Sequence, residues 1–264
     1  MENYTQEERN IIAKELADER LEKVNQIHKV VEYRETFYVK YVKRFFDIFF
    51  SLIAIIVSLP INLIILICTF FDVGRPIFFT QKRLGKDGKI FYIIKFRNMK
   101  NTKGANGELL PASQRVTKFG KFVRKTSLDE LLNFWSVFKG DMSLIGPRPL
   151  TPYYLARYSD RHKQRLCVRP GLECPPWNPK IESWGWEERF ENDIWYIEHV
   201  SFKVDCMMIV RLVQFAFNKK QTAVRSSART GIFIGYDDEG HPINLEQLDD
   251  DFVMKCLKRN NSRV

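Results

Sequence analysis

Histidine and cysteine are scarce in this chain of 264 residues. The four histidines, His28, His162, His199 and His241, show no metal-ligand spacing. The five cysteines, Cys68, Cys167, Cys174, Cys206 and Cys256, are odd in number and form no Cys-x-x-Cys pair. Neither a disulfide framework nor a zinc site is expected, and a reducing compartment is the simplest fit. Negative charge is also in short supply: 42 Lys and Arg face 32 Asp and Glu, a formal net charge of +10. Such an excess points to a polyanionic partner, whether nucleic acid, an anionic membrane surface or a phosphorylated substrate. Hydrophobic residues make up 45% of the chain, which excludes a disordered tail. No internal repeat is found. The first 44 residues are highly charged and precede the apolar run, the wrong order for a cleavable signal peptide.

Charge is absent altogether from Ile48 to Phe71, "IFFSLIAIIVSLPINLIILICTFF". A helix of that length crosses a bilayer. Pro60 sits near its midpoint, where it removes a helix hydrogen bond and crowds the preceding turn. Ser58 and Asn62 flank it with local hydrogen-bonding groups. Each half is then about a dozen residues, roughly 18 Å at ~1.5 Å per residue, too short to span. Positive charge flanks both ends: Lys40, Lys43 and Arg44 before, Arg75, Lys82 and Arg83 after. A span cannot keep both flanks in the cytoplasm, whereas a segment that turns at Pro60 and returns can. The sequence therefore favours a re-entrant hairpin over a span. Asp47, at its mouth, is expected to pair with Lys43 or Arg44 in the previous turn.

The fold class expected is α/β, mostly helical. Residues 5–33 carry Ile12, Leu16, Val24, Ile27 and Val31 at helical spacing among many Glu and Lys, which suits a packing or homodimerisation helix. From Arg75 to Lys125 only Asp87 and Glu108 oppose a run of basic residues. Within it, "PIFFTQKRLGKDGKIFYIIKFRNMK" reads as two short strands around a Gly85–Gly88 turn. Residues 100–114, rich in Gly, Asn and Ser, read as a mobile loop. Helices are expected over 115–125, 128–139, 151–165, 186–197 and 203–217, with a stiff loop at Gly146–Pro149. "GIFIGYDDEGHPINL" suggests a hairpin turning at Asp237–Gly240. The divisions expected are an N-terminal helical extension (1–40), a membrane hairpin (41–73), a catalytic domain with a small β element and amphipathic interfacial helices (74–218), and a C-terminal extension (219–264). Phe91, Tyr92, Phe96 and Arg97 interleave aromatics with basic charge, as nucleic-acid binders do. Immediately beyond a membrane segment such a surface faces anionic headgroups instead, and no nucleic-acid partner is expected.

"TSLDELLN", Thr126 to Asn133, places two carboxylates side by side. Alone it reads as a helix start: Ser127 and Glu130 fit a capping box, and Leu131, Leu132, Phe134, Trp135, Val137 and Phe138 supply the apolar run. Its neighbours add a second meaning. Arg124 lies just upstream and Asp141 just downstream. Arg148 is held between Pro147 and Pro149, which fix its backbone and lower the entropy of presenting the guanidinium. A carboxylate can attack phosphorus. Against a diphosphate it meets like-charge repulsion, which a divalent metal and arginines offset. Mg²⁺ is the usual choice, bound by one or two carboxylates with phosphate oxygens and water. Asp129, Glu130 and Asp141 are the candidate ligands. If Glu130 closes the capping box, it cannot serve the metal or a proton as well.

The stretches "KRFFDIFFSLIAIIVSLP", "FFTQKRLGKDGKIFYIIKFRNMK", "FGKFVRKTSLDELLNFWSVFKGDMSLIGPRPL" and "VRPG" resemble the monotopic polyprenyl-phosphate phosphoglycosyl transferases, the bacterial sugar transferases, from about Tyr41 to Phe217. The resemblance implies an enzyme on the cytoplasmic face of the bacterial inner membrane, among membrane lipids. Such enzymes move a sugar phosphate from a nucleoside diphosphate sugar, usually a UDP-sugar, to a polyprenyl phosphate such as undecaprenyl phosphate, releasing UMP. It implies Asp129 as nucleophile, forming a phosphosugar-enzyme intermediate, and Glu130 as helper at a Mg²⁺ centre or in proton transfer. Arg124 and Arg148 are implied near substrate phosphate, and Lys95, Arg97 and Arg169 complete the expected phosphate-binding set. Lys43, Arg44, Asp47, Ser58 and Pro60 belong to the membrane hairpin, which is re-entrant in that family. Three departures stand out. The break is Leu59-Pro60 rather than Ser-Pro. Asn98 stands where Thr or Ser is frequent. After "VRPG" the chain continues "LECPPWNPKIESWGW" instead of a Thr-Gly-x-x-Gln type segment. That segment, residues 172–186, suits either a different donor or the membrane interface, where Trp is favoured. It also keeps alternatives open, a catalytically silent membrane-anchored scaffold or a hydrolase in which water replaces the lipid acceptor.

Overall fold

The computed structural model describes residues 4–104, 107–178, 184–217 and 231–261. Helix α1 (Gln6–Ile27) starts on a capping box, with the Glu8 amide donating to Thr5 Oγ1 and the Thr5 amide to the Glu8 carboxylate. It stops short of the expected residue 33. Gln164 captures Val31 in extended form, accepting from its N–H at 2.8 Å and donating to its carbonyl at 2.7 Å.

After a π-helical turn (Tyr38–Val42), α2 (Lys43–Val73) runs as one helix with Pro60 inside it. The interruption expected at Pro60 is not formed. Proline removes only one ladder bond. Ser58 Oγ donates to the Ile55 carbonyl and Asn62 Nδ2 to Ser58 Oγ, which keeps these donors within the helix. The stretch Tyr38–Val73 is long and apolar enough to cross a membrane. Its polar entrance is fastened to the rest of the chain. Arg44 donates to the carbonyls of Val137 (2.6 Å) and Phe138 (2.7 Å). Lys43 pairs with buried Asp205 at 2.7 Å. Asp47 does not pair with Lys43 or Arg44; it accepts from Ser143 Oγ and the Leu144 amide, both at 2.9 Å. Those fixed donors reach a buried carboxylate that the two cations have left for other partners. At the far end, Arg97 donates to the carbonyls of Val73, Gly74 and Arg75, and Thr117 to Asp72. Both ends of α2 thus meet the same domain.

That domain begins with β1 (Phe78–Leu84) and β2 (Ile90–Phe96), antiparallel around the expected Gly85–Gly88 turn. Phe91, Ile93 and Lys95 share one face by the two-residue period of a strand. Phe91 and Ile93 enter a core with Val137 and Met142, so Lys95 is carried inward beside them. Residues 100–104 and 107–114 are tied by Met99–Val116 and Lys103–Leu109 bridges and a short helix α3 (Ala112–Arg115). Helix α4 (Lys118–Lys125) is capped by Thr117, and α5 (Asn133–Lys139) follows.

A parallel pair, β3 (Ser143–Ile145) and β4 (Gly171–Glu173), was not foreseen, because three residues leave no periodicity to read. It depends on glycine: a Cβ on Gly171 would meet Gly146 N at 2.1 Å. In place of one helix over 151–165, two 3₁₀ segments (Pro152–Arg157 and Gln164–Leu166) flank α6 (Asp160–Lys163). Tyr158 is extended, and Ser159 caps a new turn by accepting from the His162 amide. Helices α7 (Trp186–His199) and α8 (Phe202–Phe217) agree with expectation.

The C-terminal part forms the expected hairpin, β5 (Phe233–Tyr236) and β6 (Pro242–Asn244), then an unforeseen helix α9 (Asp250–Asn261). It packs on α1: Ile12, Ala13 and Leu16 bury against Ile234, Ile243, Val253 and Cys256. Phe233 and Tyr236 join Tyr158, Trp186 and Phe190 in a second core. The two terminal extensions therefore close on each other and on the middle of the chain.

Two buried polar clusters hold this arrangement. Arg165 bonds Asp193 through Nε (3.0 Å) and Nη2 (2.5 Å), Tyr158 through Nη1, and the Arg148 carbonyl through Nη2 (2.9 Å). Burial works against its charge, but Asp193 and Tyr158 more than offset this and raise its pKa. His162, fully enclosed, bridges Tyr236 Oη and Glu191 Oε1, both at 2.9 Å. Burial pushes its pKa below 6.5, although Glu191 pulls the other way.

Arg165→Met leaves Asp193 buried and unpaired, and should cost about 3–5 kcal/mol, read as a lower thermal midpoint in detergent. For His162, the unfolded chain binds a proton at higher pH than the folded one. Its stabilising contribution is complete above 6.5 and is lost as pH falls below it. The midpoint should therefore drop between pH 7.5 and 5.5 by more in the wild type than in His162→Gln.

Candidate functional site

Ser127 adopts a left-handed conformation (φ 56°, ψ 20°) and makes no capping bond. The capping box between Ser127 and Glu130 is not formed. Leu128–Glu130 is instead a single 3₁₀ turn, and the expected helix over 128–139 begins only at Asn133. The cause is competition. The Glu130 carboxylate accepts from Lys95 Nζ at 2.6 Å and Arg148 Nη2 at 2.7 Å, both at Oε1. Charge-assisted bonds of this kind outweigh a neutral cap. Lys95 arrives from the inward face of β2. Arg148 arrives from the loop between Pro147 and Pro149, whose backbone is gripped by Arg165 and by Arg83, which donates to the Pro149 carbonyl at 3.1 Å.

The same turn sends Asp129 to a cavity of about 650 Å³, lined also by Ser127, Arg124, Asn98, Arg115 and Phe79. Only 6% of Asp129 is exposed. Among the described residues its side-chain partner is Asn98, donating to Oδ2 over 3.4 Å. Burial raises its pKa, and Glu130 adds to this while Lys95 and Arg124 oppose it. Burial would also raise Glu130, yet Arg148 and Lys95 hold it below the usual carboxylate range. The acids thus differ in kind. Glu130 is an anion neutralised by protein cations. Asp129 is a poorly solvated carboxylate aimed at open space, where a cation or an electrophilic phosphorus would stabilise it most.

Not every expected residue joins them. Arg124 lines the cavity with its guanidinium uncommitted among the described residues. Arg97 lines it too, but its nitrogens hold the end of α2. Arg169 donates to the Gly140 carbonyl at 3.2 Å, beyond the far end of α5. Asp141 pairs there with Lys139 at 2.7 Å and does not reach Asp129 or Glu130. A loop position eight residues downstream of a helix start is carried one helix length away. Lys43, Arg44, Asp47, Ser58 and Pro60 all lie on α2, outside the cavity lining.

Three residues of the site were missed as site residues: Asn98, Arg115 and Glu173. Glu173 takes Arg148 Nη1 at 3.2 Å, beside the Leu172 carbonyl. The departure after "VRPG" was its only signal. The rest of that segment divides: Trp177 stacks on Trp195 at 5.1 Å, Trp186 enters the core, and residues 179–183 lie outside the described residues.

No group of three or more His, Cys, Asp or Glu side chains suited to a metal occurs among the described residues. Asp129 and Glu130 both line the cavity and are the carboxylates that could hold a hard divalent ion, which would take its other ligands from water and phosphate.

The profile of a protein family described as bacterial sugar transferase matches residues 38–219. An uncharacterised sugar transferase of Bacillus subtilis, EpsL, is 37% identical over 172 residues, 65% of this chain and 85% of that protein. The UDP-glucose:undecaprenyl-phosphate glucose-1-phosphate transferase of Klebsiella pneumoniae is 34% identical over 193 residues, 67% of this chain and 40% of that protein. The UDP-N-acetylgalactosamine-undecaprenyl-phosphate N-acetylgalactosaminephosphotransferase of Aeromonas hydrophila is 31% identical over 184 residues, 66% of this chain and 43% of that protein. The match thus spans most of the first relative and less than half the length of the other two. The extent of the family match, with the dyad turn and the Pro-Arg-Pro loop inside it, shows that the chain belongs to the bacterial sugar transferase family.

Proposed function

We propose that this transferase moves a sugar phosphate from a nucleoside diphosphate sugar, of the UDP-sugar type, to a polyprenyl phosphate. Two of these relatives act on undecaprenyl phosphate by name, which supports the acceptor class. The observation that carries the reading is the division of the two acids. Glu130 is neutralised in place, while Asp129 faces the cavity beside an uncommitted Arg124.

In this reading an Asp129 oxygen attacks the sugar-bearing phosphorus. The bond from that phosphorus to the bridging oxygen breaks, and the nucleoside monophosphate, UMP for a UDP-sugar, leaves with the electron pair. The sugar phosphate is then an acyl phosphate on Asp129. A phosphate oxygen of the polyprenyl phosphate attacks the same phosphorus, forming the polyprenyl diphosphate sugar and freeing the carboxylate. Limited solvation leaves Asp129 less stabilised as an anion, which favours attack. Arg148 keeps Glu130 charged and oriented, and Arg124 neutralises charge at the reacting phosphate. Mg²⁺, held by Asp129 and Glu130, would neutralise the diphosphate.

The acceptor is a lipid, and α2 supplies its surface. We place α2 in the membrane as a re-entrant element on the cytoplasmic face of the inner membrane. A straight helix of this length would reach roughly 46 Å at ~1.5 Å per residue. Attachment of both ends to one domain, with positive charge at each, supports a return to the side of entry. Exposed Phe202, Ile209, Val210 and Val213 of α8 continue that apolar surface, since the Phe202 ring touches Phe46.

Purified protein with Mg²⁺, polyprenyl phosphate and a panel of nucleotide sugars should release the nucleoside monophosphate. Asp129→Asn should slow it by roughly 10³-fold or more, the scale of losing a nucleophile. It should also abolish a phosphosugar adduct detectable by mass spectrometry on the wild type; normal turnover in the variant would sink the nucleophile assignment. In right-side-out and inverted vesicles, single cysteines introduced at Lys40 and Asn101 in a variant with the five native cysteines replaced should react with a membrane-impermeant maleimide only in the inverted ones. Labelling from opposite sides would show a span.

A further inference from the structure

A diphosphate donor carries more than one negative charge, and the cavity beside Asp129 must meet it with cations. Four basic side chains line that cavity: Lys95, Arg97, Arg115 and Arg124. Two of them are already engaged. Lys95 Nζ bonds Glu130 at 2.6 Å, and both terminal nitrogens of Arg97 hold carbonyls at the end of α2. Arg124 makes no side-chain hydrogen bond or ion pair among the described residues. Arg115 commits only Nε, which donates to the Leu110 carbonyl at 2.6 Å. Its Nη1 and Nη2 have no partner among the described residues. The Nε bond fixes the plane of the guanidinium, and the Lys100 amide, donating to the Arg115 carbonyl at 2.9 Å, fixes its backbone at the neck of the 100–114 loop.

We propose that Arg115 is a second donor-phosphate ligand, holding the nucleoside-side phosphate while Arg124 holds the sugar-side phosphate under attack. This deepens the transferase reading and rests on it. The order of the two follows from their reach. Arg124 sits on α4, which packs against the Leu128–Glu130 turn that carries Asp129, whereas Arg115 sits on α3 at the neck of the 100–114 loop. A planar guanidinium with two free N–H-bearing nitrogens suits bidentate recognition of phosphate, which an ammonium does not reproduce. An arginine placed there only to tie the loop would need no more than its Nε.

The test uses the full chain in lipid nanodiscs and compares wild type, Arg115→Met and Arg115→Lys. Loss of a charge-assisted bond should raise the donor KM of Arg115→Met roughly ten- to hundred-fold. The KM for polyprenyl phosphate should not move, kcat should change little, and Arg115→Lys should recover part of the loss. Inhibition by the product nucleoside monophosphate should weaken in parallel with the donor KM. Calorimetric titration with inorganic pyrophosphate supplies an arm independent of turnover, and Arg115→Met should bind it more weakly. Unchanged donor KM and pyrophosphate affinity overturn the proposal. So does an equal loss toward both substrates with a lowered melting point, which marks a loop anchor. A wild type that binds pyrophosphate through Arg115 but transfers no sugar phosphate defeats the transferase reading instead.

Discussion

The site depends on an ion pair that touches no substrate. Arg165 is buried, and its charge is tolerable only because Asp193 and Tyr158 surround it. The N–H it has left goes to the Arg148 carbonyl. Two prolines have already restricted the backbone at that point, so one further bond suffices to aim the Arg148 side chain. Arg148 then reaches Glu130, and the Glu130 carboxylate is drawn away from a capping role into a 3₁₀ turn. Asp129, one residue earlier on that turn, is sent to the cavity as a consequence. The nucleophile proposed here is therefore placed by a chain of polar contacts that begins in the core between α6 and α7. Buried ion pairs contribute little net stability on average. The value of this one lies in geometry.

The allocation of cations follows the same logic. The basic stretch from Arg75 to Lys125 looks uniform in composition, but its members have different tasks. Arg97 ends a helix, Lys95 neutralises an acid, and Arg83 holds a loop carbonyl. Among the described residues, Arg124 and the tip of Arg115 remain available to an anion from solution. Net charge draws phosphorylated molecules toward the surface, whereas the few uncommitted donors decide where they bind.

The long apolar helix, of a length and composition that could cross a membrane, is also a structural member. Its first turn is fixed by Lys43, Arg44 and Asp47 to α8, α5 and β3, and its last by Arg97 and Thr117. In the proposed reading, position in the bilayer is thereby coupled to the platform that carries the acids, as a water-soluble donor and a lipid acceptor would require. The terminal extensions build a core of their own. Residues 6–27 and 233–261 share one core and meet the middle of the chain through Phe233, Tyr236 and His162.

Much of this was legible in the sequence. A charge-free run marks a membrane-length helix, and alternation around Gly85 and Gly88 marks a hairpin. Adjacent acids followed by Pro-Arg-Pro mark a phosphate chemistry. Such features are local, so neighbouring residues determine them. The helix break at Pro60, the capping box at Ser127 and the metal role of Asp141 were also local readings, and they did not survive. At Ser127 distant cations changed the outcome, at Asp141 the length of an intervening helix did, and at Pro60 the helix absorbed one lost ladder bond. β3 and β4 were invisible because their pairing joins residues far apart in the chain through two facing glycines. The sequence by itself determined which chemical groups are present and which segments are apolar. Only the tertiary structure decided which acid is neutralised and which is left facing the cavity, because that choice is made by charges from β2 and the Pro-Arg-Pro loop.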